Sequence, residues 1–275
     1  MATLVLATTT SHPSSRYVRV LSEKPFAYDR ARFYTIASRK LPSVTTILEV
    51  INKPALGPWY AKMERRAFET AILEVATMEG LAGTQLIDEI TLRVGQAKAG
   101  DKAKDQAASI GTAAHAWIEW ETKRQLGKDA GPEPKIPDAA QVAVMAWQDW
   151  TKETDFKPIR SEFTVYSMST GYAGTADWLA RVRGELTLGD YKTGKAIYPE
   201  AYLQNIAYRH AATEMGAPSI PHGLILRLPK TLEDPEFEAA PVPKIDFGLF
   251  VAALQLWRYM RKMEGKTTGD WASGT

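Results

Sequence analysis

The sequence predicts an α+β fold, a central mixed sheet flanked by helices, and three observations carry that prediction. Ahead of Lys157, apolar residues recur at helical spacing in several blocks. From Lys157 the period shortens to two over three consecutive runs. A helical stretch, a short apolar run and a closing helical stretch follow. The expected core is therefore an antiparallel meander joined by a further strand, with an N-terminal helical region beside it.

Each element has its own signal. Tyr17 to Ser38 reads as irregular or short strand structure, and LPSVTTILEVI places Ser43 as the cap of a helix beginning after Pro42. Pro58 suits a first turn, and Tyr60, Met63, Ala67, Ala71 and Leu73 keep near-helical spacing from about Trp59. LIDEITLRVGQAKAG is a second helical stretch, and a third begins near Asp105 and includes IGTAAHAWIEWETKRQLG. The Gly/Pro-rich GKDAGPEPKIP connects this to the amphipathic DAAQVAVMAWQDWTKET. RSEFTVYSM, GTADWLARVRG and ELTLGDYKTG form the meander, separated by STGYA and by the turn at Gly184. PEAYLQNIAYRHAATEMG is helical, ended by Gly216 and Pro218; HGLILRL suits a buried strand; TLEDPEFEAAPV is hairpin-like; and DFGLFVAALQLWRYMRKMEG closes the chain as a helix.

Composition narrows the chemistry. The chain has 275 residues, 45% hydrophobic and 24% charged, which sets disorder and fibrous classes aside. With no cysteine there is no disulfide, thiolate zinc site, catalytic cysteine or cysteine-ligated iron–sulfur cluster, so any metal must be held by carboxylate, histidine, carbonyl or water. No stretch approaches the apolar length of a membrane helix, and the first residues lack a basic start followed by an apolar run, so a cytoplasmic protein is expected. A net charge of +2 does not announce nucleic-acid binding. Basic residues gather only locally, in Lys62–Arg66, in Lys98–Lys104 and at Arg258, Arg261 and Lys262, each of which also suits a solvated helix face.

The informative stretch is GYAGTADWLARVRGELTLGDYKTG. On an extended strand Asp190 and Lys192 share a face and Tyr191 takes the other. Counting outward from the turn at Gly184 sets Asp177 nearly opposite Asp190 on the adjacent strand. Two facing carboxylates repel unless a cation or proton lies between them. Hard oxygen ligands favour Mg²⁺ or Mn²⁺, one or two ions, and the Tyr191 carbonyl is placed to add a further oxygen. In GTAAHAWIEWE, His115 and Glu119 share a helix face, from which His115 can offer a ring nitrogen. In YLQNIAYRHA, Gln204 and Tyr208 lie one turn apart directly after the lysine strand, with Arg209 and His210 beside them. Taken singly, D-x-K is more often a surface ion pair, a histidine on an alanine-rich helix is more often structural, and Tyr208 serves equally well in ordinary packing.

Together these motifs resemble the PD-(D/E)XK nuclease superfamily, in its RecB-like exonuclease branch of phage type. The resemblance is carried in order by Gly111 to His115, Ser161 to Phe163, Gly174 to Asp177, Asp190 to Thr193 and Gln204 to Tyr208, with LPSVTTIL and KPALGPWYAK similar to the opening of phage members. It implies an α/β/α-like restriction-endonuclease core in residues 105–275, preceded by an N-terminal segment and helical region in residues 1–104, the two forming one compact unit. It also implies His115, Asp177, Asp190 and the Tyr191 carbonyl as metal ligands, Lys192 as the catalytic lysine, Glu162 as a further catalytic acid that binds or supports the metals alongside Asp177 and Asp190, and Gln204 and Tyr208 as residues that contact DNA or brace the site. The implied activity is metal-dependent DNA exonuclease cleavage in recombination, repair or phage DNA processing, in a bacterial or phage-infected cell. A recombinase or single-strand-binding partner and a homo-oligomer are compatible with it. The four cysteines and iron–sulfur cluster of many such relatives are absent, so their strand polarity does not transfer. A structure- or sequence-specific endonuclease and a catalytically silent DNA-binding module are the alternatives.

Overall fold

The computed structural model describes residues 31–270 apart from 52–55, 79, 81, 98, 231–233 and 235, with the side chains of residues 56, 96, 97, 100–108 likewise outside the description. The expectations for Tyr17 to Arg30 and for the side chains of the Lys98–Lys104 group therefore lie outside the described residues. The chain opens on a hairpin, β1 (Phe33–Ile36) and β2 (Arg39–Pro42), paired antiparallel. Its turn holds Ala37 and Ser38 at φ 45° and 66°, the left-handed pair that a two-residue hairpin needs. Neither residue is Gly or Asn, so the sequence carries no hairpin signal there. The helix expected after Pro42 is α1 (Val44–Ile47), continued by a 3₁₀ turn over Leu48–Val50; the Ser43 hydroxyl accepts from Thr46 N at 3.1 Å, as a cap does.

Helices α2 (Leu56–Val75), α3 (Gly83–Ala97), α4 (Ala99–Gln125) and α5 (Asp138–Glu153) follow. Helix α4 runs without a break through residues 104 and 105. The change of period at Lys157 is the start of a five-stranded sheet with order β3-β4-β5-β6-β7, made of β3 (Lys157–Ser167), β4 (Tyr172–Val182), β5 (Glu185–Lys192), β6 (His222–Arg227) and β7 (Glu238–Pro241). All neighbours are antiparallel except β5 and β6, which run parallel. A parallel pair needs a crossover, and α6 (Pro199–Glu214) supplies it. The prolines at the sheet's rims, Pro158 and Pro241, sit on edge strands, where a missing N–H leaves no central ladder bond unmade. Helix α7 (Gly248–Met263) ends the fold.

The sheet is covered on both faces. On one, Ile118, Trp147 and Trp150 of α4 and α5 pack against Trp178, Ala180 and Leu226. On the other, Ala207 and Ala211 of α6, Leu254 and Trp257 of α7 and Ile47 of α1 pack against Val165, Leu179 and Leu188. Each large aliphatic side chain so withdrawn from water contributes about 1.5–3 kcal/mol, and each alanine methyl less. Strand β5 is buried on both faces, so it reads as a nearly continuous buried run, and Asp190 lies within that run. Among the described residues no helix is long and apolar enough to cross a membrane.

Helix α7 makes this layering testable. Leu254 is 1% exposed and Leu256, on the outer side of the same helix, is 49% exposed. Leu254→Ala is expected to cost about 2–5 kcal/mol in denaturant unfolding, and Leu256→Ala less than about 0.5 kcal/mol.

Candidate active site

Strand register assembles the acidic groups. The β4–β5 ladder pairs Trp178 with Gly189, and one step further in the same register sets Asp177 against Asp190. On the other side of β4, Ser161 pairs with Trp178 and Phe163 with Ala176, so Glu162 falls opposite Asp177. Three carboxylates thus lie in a row across three strands. Glu162 takes φ 46°, a conformation that costs a non-glycine residue on the order of 1 kcal/mol and so needs support from its surroundings.

These residues border a cavity of about 310 Å³ together with His115, Thr175, Tyr191, Lys192, Gln204 and Tyr208, and with Arg32, Tyr34 and Thr45 from the N-terminal hairpin and first helix. All the site residues expected from the sequence line it. Asp190 and Lys192 share a face as strand alternation requires, joined by an ion pair, while the Tyr191 hydroxyl accepts from Trp147 Nε1 at 3.1 Å on the opposite side of the sheet. Asp177 Oδ2 accepts from Tyr191 N at 2.6 Å, so the side chain of β4 engages a backbone amide of β5 just past the last regular pair.

Gln204 joins the rest. Its Nε2 donates to Asp190 Oδ1 at 2.8 Å and to Tyr208 Oη at 3.2 Å, and its Oε1 accepts from Lys192 Nζ at 3.1 Å. One amide therefore orients both members of the ion pair, buried Asp190 and half-buried Lys192. Two glycines of the motifs mark close approaches that bring these elements together. A Cβ on Gly174 would lie 2.4 Å from Tyr208 Cε1, and one on Gly111 would lie 2.3 Å from Thr193 Oγ1, so α6 and α4 reach the strands only where a side chain is missing.

Burial and like charge set the protonation. Burial, reinforced by Asp190, holds Asp177 well above the usual carboxylate range. Burial, with the charges of Glu119 and Asp190, pushes Glu162 up to about 7 against the opposing effect of Lys123. Burial works against the Lys192 charge, but Asp190 and Asp177 outweigh it and hold the ammonium above its ordinary value. Burial lowers His115, which favours the neutral imidazole that can ligate a metal.

The donor set fits a hard divalent cation in kind. Two adjacent carboxylates, Asp190 buried and Asp177 half-buried, lie beside one ammonium, and Asp190 Oδ2 touches Lys192 without accepting a properly directed hydrogen bond. Yet no group of three or more His, Asp or Glu is gathered closely enough to hold an ion among the described residues. In this structure Asp190 is engaged by Lys192 and Gln204, and Asp177 by the Tyr191 amide.

Arg32 and Tyr34 carry no site signal of their own in the sequence, and Thr45 enters only as part of LPSVTTIL. Arg32 Nη2 donates to Thr45 Oγ1 at 2.9 Å, and the Tyr34 hydroxyl bonds Thr175 Oγ1 at 3.0 Å across 141 positions of chain. Thr175 lies within the GTAD motif; for Arg32 and Tyr34 the only local signal was the neighbouring LPSVTTIL.

Fold and site together define an α+β protein with an acidic cavity holding a Lys192–Asp190 ion pair at the end of a central strand. No family model and no curated protein matches this chain. Among solved structures, that of SSO0001 is similar at 11% identity with a TM-score of 0.29, over 54% of this chain and 70% of that one, a likeness too loose to bear on function.

The raised Glu162 gives a pH dependence. Its proton is held more tightly folded than unfolded, so the stability that Glu162 contributes is full below the ordinary value of 4.5 and is lost as pH rises towards about 7. Metal-free protein is expected to melt at progressively lower temperature across that window, and Glu162→Gln to flatten the decline; equal slopes for the two proteins would contradict the assignment.

Proposed function

We propose that the chain is a divalent-metal-dependent DNA nuclease of PD-(D/E)XK type, acting as an exonuclease that hydrolyses phosphodiester bonds. The observation that carries this reading is the interlocked set of Asp190, Lys192 and Gln204 with Asp177 beside it on β4, which holds an ammonium next to two carboxylates at the carboxyl end of β5. That end of a strand, next to a crossover, is where α/β sheets place ligands. The ordered motifs around these residues support the same reading.

A Mg²⁺ or Mn²⁺ ion would be held by Asp177, Asp190, His115 and the Tyr191 carbonyl, and would polarise a phosphoryl oxygen and acidify a bound water. The chain's own groups do the remaining work. Lys192 offsets negative charge as it develops on the phosphoryl oxygens while water adds to phosphorus and the ester oxygen leaves. Gln204 fixes the direction of both Lys192 and Asp190, so little reorganisation accompanies the reaction. Glu162, beside Asp177, is placed to take up a proton near neutral pH. Basic residues such as Lys62 and Arg66 on α2 would meet the phosphate backbone, which makes binding salt-sensitive and poor in base readout.

On end-labelled linear DNA with Mn²⁺, Asp190→Ala and Lys192→Ala are each expected to lower the rate by roughly a hundredfold or more. Parent-like activity in both would remove the site assignment, and cleavage of closed circular DNA would replace the exonuclease reading with an endonuclease. Independently of turnover, Mn²⁺ at a hundred times its dissociation constant is expected to stabilise the parent by about 2.7 kcal/mol. In thermal melts Asp177→Asn and Asp190→Asn should lose most of that gain.

A further inference from the structure

Phe33 and its two neighbours divide between two environments. Successive side chains alternate along an extended strand. Arg32 and Tyr34 border the cavity, and Phe33 between them packs on the ring of Trp257 at 6.2 Å between centroids. The guanidinium of Arg261 lies 5.7 Å from the Phe33 ring and 5.1 Å from that of Trp257. Arg261 is only 7% exposed, and its Nε donates to Thr267 O at 2.5 Å, which draws the segment after α7 back towards the hairpin. Three residues on, Asp270 engages both backbone groups of Lys40: its Oδ2 accepts from Lys40 N at 2.7 Å, and its own N donates to Lys40 O at 2.8 Å.

We propose that Arg261 and Asp270 are positioning residues, a clasp that fixes the rotation and placement of the β1–β2 hairpin and thereby sets Arg32 and Tyr34 at the cavity wall, where they govern how tightly substrate is held. The identity of that substrate as a DNA phosphodiester rests on the nuclease reading; the clasp itself does not. The hairpin is a two-stranded sheet of four residues a strand, and a ribbon of that size is marginal without packing against something else. Lys40 and Phe33 are where the chain's last described residues grip it, and neither grip touches the acidic centre.

The test uses the full-length chain with Asp270→Ala, Arg261→Met and Arg261→Lys. Amide hydrogen exchange across the Phe33–Ile36 and Arg39–Pro42 ladder should quicken roughly two- to tenfold in the first two, the scale of one or two lost contacts. The amides of β6 serve as the internal control and should not change. Arg261→Lys keeps the charge but not the planar stacking and should fall between. On linear DNA with Mn²⁺, KM should rise several-fold while kcat stays near that of the parent. Unchanged ladder exchange in both Asp270→Ala and Arg261→Met overturns the clasp, as does quickened exchange with an unchanged KM. Should Arg261→Met also loosen β6, the surface variant Asp270→Ala decides alone. A parent that leaves DNA intact counts against the nuclease reading, and the exchange measurement then decides the clasp without it.

Discussion

The placing of two carboxylates, Asp177 and Asp190, side by side on adjacent buried strands constrains much of the rest of this structure. Charges withdrawn from water are costly unless they are paired and hydrogen-bonded, and two like charges make the cost worse. The chain meets that constraint with what lies nearest. Lys192 pairs with Asp190, Gln204 holds both, and the Tyr191 amide takes one oxygen of Asp177. What these contacts leave is a cavity bordered by three acidic side chains, Glu162, Asp177 and Asp190, with the Lys192 ammonium paired to one of them.

The helices around the sheet are arranged to serve this set. Helix α6 must approach β4 closely enough for Gln204 and Tyr208 to reach the acids, and Gly174 is the gap that admits the Tyr208 ring. Helix α4 must reach the end of β5 so that His115 borders the same cavity, and Gly111 seats it against Thr193. The His115 and Tyr191 rings then meet edge to face at 5.5 Å between centroids. Glycines that a motif search treats as punctuation are here the points of nearest contact between layers.

The cavity's remaining wall comes from far away in the chain. Arg32, Tyr34 and Thr45 reach it from a short hairpin and a one-turn helix that are tied to the sheet by Tyr34 to Thr175 and by Ser43 beside Ala173. From behind, the segment that follows α7 grips the same hairpin. The two ends of the described chain therefore meet at the hairpin that brings Arg32 and Tyr34 to the cavity, through contacts that span most of the chain's length.

By itself the sequence determined the α+β class, the meander and its turns, the helix after it, and the sharing of one face by Asp190 and Lys192, because each follows from a local period of 3.6 or 2 or from turn chemistry. Counting outward from Gly184 was enough to set Asp177 near Asp190, since an antiparallel register is fixed by its turn. Only the tertiary structure decided that Gln204 bonds Asp190 and Lys192 at once, that Glu162 adopts a left-handed backbone opposite Asp177, and that Arg32 and Tyr34 close the cavity. The hairpin turn at Ala37 and Ser38 was illegible for a related reason: its left-handed backbone runs against what those residues prefer locally. Contacts of this kind join positions far apart in the chain, and their geometry depends on how layers pack rather than on any period that neighbouring residues can display.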